Sequence, residues 1–100
     1  MLRGNPSKRL EDIRPELQRA REGLRILEEQ VSFQQQVTAE AETAAVVAET
    51  PLAHREYREA DGDLQRLQRQ RDDVREHVTA LLAEQDELLD RMLDQAGGST

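Results

Sequence analysis

From Leu10 onward the apolar residues return every three or four positions, at Leu10, Ile13, Leu17, Ala20, Leu24, Leu27 and Val31. That spacing lines one stripe of an α-helix, in the heptad manner of a coiled coil. The rhythm restarts at Tyr57 and runs through Ala60, Leu64, Leu67, Arg71, Val74, Val78, Leu81, Gln85, Leu88 and Met92. Two long helices are predicted, joined by a reversal. With one Phe, one Tyr and no Trp, the chain lacks the β-branched and aromatic material of which sheets are built. The expected fold is all-α: an antiparallel coiled-coil hairpin that dimerises into a four-helix bundle.

Boundary signals divide the chain. Taken as N-cap, Asp12 starts the first helix at about 12 and ends it at about 48. Pro15 then falls in the first turn, where backbone amides lack intrahelical acceptors and Glu16 suits the positive end of the helix dipole. A turn is expected at about 49–55 and the second helix at about 56–95. Thr50 before Pro51 reads as a capping residue followed by proline at the first helical position. Asp61-Gly62-Asp63 is the rival breakpoint, read as a kink because glycine in a helix costs about 1 kcal/mol relative to Ala. The basic residues 1–11 and the Ala-Gly-Gly-Ser-Thr tail, 96–100, are expected to be mobile.

In an antiparallel pair, facing residue numbers add to a constant, and 98 and 105 both fit the phase of the two stripes. The larger value places Gln34 opposite Arg71, Ile13 opposite Met92, Leu17 opposite Leu88 and Val31 opposite Val74. It brings Glu28 near Arg75 and Glu16 near Arg91. Because it matches polar with polar, 105 is the predicted register.

Each helix carries apolar residues that this seam leaves outside. On the first, Ile26, Phe33 and Val37 belong to a second stripe with Gln30, Glu40, Ala44 and Val47. On the second, Leu82, Leu89 and Leu93 widen the apolar face beyond a two-helix seam. Self-association, or docking on another protein's helix, would bury them.

Charge narrows the partners. The net charge is −7, distributed as +2 over residues 1–11, −4 over 12–50, −2 over 51–63 and −3 over 64–100. An acidic body without aromatic platforms argues against nucleic-acid binding, which needs a basic field to displace counterions. Between Arg25 and Arg55 no lysine or arginine occurs, whereas Glu28, Glu29, Glu40, Glu42 and Glu49 do. Glu40, Glu42 and Glu49 are therefore candidates for acidic docking near the hairpin tip. The longest apolar run, Ala44 to Ala48, falls far short of the ~20 residues of a membrane span. Met1 to Pro6 has no signal-peptide character, so no membrane partner is expected and the cytoplasm is the default location. Thirteen arginines against one lysine suggest a GC-rich, bacterial genome.

Catalytic patterns are missing. There is no cysteine, and the two histidines, His54 and His77, lie neither in a Glu-x-x-His nor in a His-x3-His spacing. Asp73, one turn before His77, suggests an exposed helical ion pair. No serine has a glycine elbow, and the five glycines form no phosphate loop. Neither an enzyme nor a metal or cofactor site is expected. The hairpin with acids at its tip, including Glu56, Glu59, Asp61 and Asp63, resembles in outline the bacterial transcript-cleavage factors of the Gre type, which insert such a hairpin into RNA polymerase. No paired acids occupy residues 50–55, that family's globular domain has no counterpart in these 100 residues, and no site residue carries over. The expected function is a non-enzymatic scaffold or adaptor acting through self-association and another protein. The alternative is a regulator whose acidic tip docks on a larger machine such as RNA polymerase.

Overall fold

A computed structural model describes residues 5–98 as a helical hairpin, α1 (Pro6–Ala48) followed by α2 (Pro51–Gly98). The all-α prediction holds. The helices start alike. Asn5 accepts the Ser7 amide on its side chain at 2.9 Å and the Arg9 amide on its carbonyl at 3.0 Å, with Pro6 at the first helical position. Thr50 accepts the Ala53 amide on its hydroxyl at 3.1 Å and the His54 amide on its carbonyl at 3.1 Å, with Pro51 next. Capping oxygen followed by proline satisfies one orphan amide and removes another.

Asn5-Pro6 moves the start of α1 six residues ahead of the Asp12 expected as its cap. Pro15 is therefore internal to the helix. It stands on the exposed side, where the Glu11 carbonyl that its ring leaves unbonded can be hydrated. Residues 6–11 and 96–98, assigned to mobile ends on sequence, are helical; residues 1–4 and 99–100 lie outside the described residues. The connection is Glu49-Thr50 alone, shorter than 49–55, so α2 begins at Pro51. Glu49 takes the left-handed conformation, φ 53°, and its amide donates to the Ala45 carbonyl at 3.0 Å, closing α1. Gly62 lies within continuous helix, and neither turn nor break occurs there.

Two compact halves share these helices. Among the described residues, the open-end half joins 5–23 with 74–98, and the tip half spans 24–73. Ile13, Leu17, Val78, Leu81 and Leu88 form the core of the first. Val31, Thr38, Ala45 and Ala60 form that of the second.

The register differs from the predicted one. Gln34 Nε2 donates to the Ala60 carbonyl at 3.0 Å, and Thr38 Oγ1 donates to the same oxygen at 3.1 Å. Thr38 faces Ala60, whose numbers add to 98, and Tyr57 bonds Glu42 at 3.1 Å. The Gln34–Arg71 layer required by 105 is not formed. Arg71 pairs with its neighbour Asp72 at 3.0 Å, and Arg91 pairs with Glu87 at 3.0 Å and not with Glu16. Gln34 reaches a main-chain carbonyl because small Ala60 leaves it open, a partner that matching side chain with side chain overlooks.

Candidate interaction surfaces

In the open-end half the smaller register leaves the end of α2 uncovered. Leu82 is half-buried, whereas Leu89 is 45% and Leu93 69% exposed. Met92, assigned to the seam opposite Ile13, is 36% exposed. Its seam position falls beside Pro6, at the very start of α1, where little side chain remains to cover it. Alongside lies an open groove of about 310 Å³, lined by Ser7, Leu10, Glu11 and Arg14 of α1 and by Gln85 and Leu89 of α2.

A charged cluster bridges the helices of this half. Arg9 donates from Nε to Glu84 Oε2 at 2.6 Å and from Nη2 to Glu84 Oε1 at 2.8 Å, a bidentate pair, and from Nη1 to Glu16 Oε2 at 3.2 Å. The hydrogen bond from Arg9 holds the Glu84 carboxyl below its usual range, while Glu84 pushes the Arg9 guanidinium further up. His77 Nε2 lies 3.7 Å from Glu16 Oε1. The expected His77–Asp73 pair gives way to this contact across the helices. Arg9 and Glu84 are 75 residues apart, which is why their pairing has no signature in a pattern read along one helix.

In the tip half, Ile26 is exposed, Phe33 is 67% exposed and Val37 is half-buried. The second stripe of α1 thus faces water at its larger members. Glu40, Glu42 and Glu49 are all exposed, with Glu42 accepting the Tyr57 hydroxyl and raising that phenol's pKa. The turn is also apolar. Val46, Val47 and Leu52 are all exposed there, and Val47 reaches 79%. Sequence reasoning placed Val47 on the second stripe but missed Val46 and Leu52. The two-residue turn between a valine pair and Pro51-Leu52 was the available signal.

Among the described residues no group of His, Cys, Asp or Glu is arranged to hold a metal ion. No described helix is long and apolar enough to cross a membrane. No protein-family model, curated protein or solved structure matches the chain.

Proposed function

We propose that the protein is a non-enzymatic coiled-coil scaffold or adaptor that works by self-association and by binding another protein. The exposure of Leu89, Met92 and Leu93 on one end of α2 carries this reading. A leucine kept in water forgoes roughly 1.5–3 kcal/mol of burial, and a chain of this size gains stability by oligomerising. Light scattering between low and high micromolar concentration tests it. The expected result is a dimer whose mass and melting temperature rise with concentration, and which Leu89→Glu with Leu93→Glu converts to a helical monomer. A chain monomeric at high micromolar concentration would refute it.

The tip supports a second reading, docking on a basic cleft of a larger machine. Glu49 holds a left-handed conformation that glycine or asparagine adopts at lower cost, and it does so beside exposed Val46, Val47 and Leu52. Such binding weakens steeply with salt, whereas association through leucines does not.

A further inference from the structure

We infer that the groove of the open-end half is filled by the same half of a second copy, with α1 of each chain lying against α2 of the other. This rests on the self-association reading and adds the geometry of the contact.

The groove brings Ser7, Leu10, Glu11 and Arg14 level with Gln85 and Leu89. A copy related by a twofold axis along the helices therefore presents its own Leu89 at the level of Leu10. An isologous contact of this kind repeats every interaction twice.

Charge argues for this pairing. Residues 7–14 of α1 contain Lys8, Arg9 and Arg14 against Glu11 and Asp12, and residues 85–94 of α2 contain Asp86, Glu87, Asp90 and Asp94 against Arg91. Part of that charge is satisfied within the chain, Arg9 by Glu84 and Glu16 and Arg91 by Glu87. Arg14, Asp86, Asp90 and Asp94 make no ion pair among the described residues. Lys8 pairs only with Asp12, at 3.6 Å on an exposed surface, and exchanges partners at little cost. Apposing α1 to α2 sets Arg14, one turn from Leu10 and in the groove lining, against Asp86, three residues before Leu89. Apposing α2 to α2 would instead stack three unpaired carboxylates, Asp86, Asp90 and Asp94, on three.

Two measurements test the arrangement. By light scattering and sedimentation, Arg14→Glu should weaken dimerisation about tenfold, since two contacts change from attraction to repulsion. Asp86→Arg added to Arg14→Glu should bring affinity back to within about threefold of the parent. The chain contains no cysteine, so mixing Leu10→Cys chains with Leu89→Cys chains under mild oxidation reports whether residue 89 meets residue 10 of the copy. A covalent dimer of the two variants should form, and Glu76→Cys, exposed on the same helix, should give none when mixed with Leu10→Cys. Circular dichroism of each variant confirms that it is folded. A dimer indifferent to Arg14→Glu, an unrestored double variant, or equal crosslinking at 89 and 76 overturns the geometry while the self-association reading stands. A parent chain that remains monomeric overturns both.

Discussion

The two halves of the hairpin are held by different physics. The open-end half buries branched aliphatic side chains, Ile13 completely, and fastens its rim with the bidentate Arg9–Glu84 pair. The tip half buries Val31 with the small Ala45 and Ala60, and ties its helices through Gln34 and Thr38 to one main-chain carbonyl. Aliphatic bulk dominates the first core, and small side chains with directed hydrogen bonds the second. Aliphatic burial is non-directional and tolerates sliding, whereas a hydroxyl aimed at one oxygen does not. In the tip half the two bonds to one oxygen therefore fix the local alignment.

Opposite changes in volume should break this contrast most visibly. Ile13→Ala removes the most buried side chain of the open end and should cost about 2–5 kcal/mol, the range for emptying a core site. Ala45→Leu adds bulk at a buried small-residue site and should cost about 1–3 kcal/mol by overpacking. Urea unfolding of both variants measures the pair. If Ala45→Leu were neutral or stabilising, the tip would have room to spare and tight packing would not explain its small residues.

A smaller effect sharpens the polar half of the comparison. Thr38→Val removes the hydroxyl bond but leaves the Ala60 carbonyl its Gln34 donor, so the loss should be about 1 kcal/mol. Adding Gln34→Leu deprives that oxygen of both side-chain donors. The double variant should then lose more than the two single losses together. Strict additivity in chemical denaturation would show that the two bonds do not share one acceptor.

Heptad spacing made both helices legible, because a stripe of apolar residues suits no other regular structure at that length. Thr50-Pro51 marked the start of α2 by a cap whose chemistry is local. Asn5-Pro6 carried the same signal for α1, but Pro15 drew attention to a later start that spared the helix an internal proline. On an exposed face that proline is tolerated. Register was less legible: at 105, side chains match side chains, and the actual partner of Gln34 and Thr38 is backbone, present at every residue and so unmarked in sequence. Leu89 and Leu93 were found because they lie off the seam. Met92 was misplaced by the same register, and the exposed Val46 and Leu52 were missed because neither belongs to a stripe.

Titration offers the finest separation of the two halves, since their cross-helix pairs should fail at opposite ends of the pH scale. In the open end, the Arg9 hydrogen bond holds the Glu84 pKa below the ordinary carboxylate value of about 4.3. The contribution of this pair is complete above that ordinary value and is lost as pH falls through the depressed one. At the tip, the hydrogen bond to Glu42 raises the Tyr57 pKa above its ordinary value of about 10. The neutral phenol is the form that bonds, so its contribution is complete below that value and is lost as pH rises through the elevated one. Both groups are partly in water, and the shifts in melting temperature should be small. Glu84→Gln and Tyr57→Phe isolate them. The melting-temperature gap between the parent and Glu84→Gln should be steady near neutrality and narrow in acid. The gap to Tyr57→Phe should be steady there too and narrow in alkali. If both gaps are unchanged across the range, or close at the same end, the two pairs do not act as these bonds require.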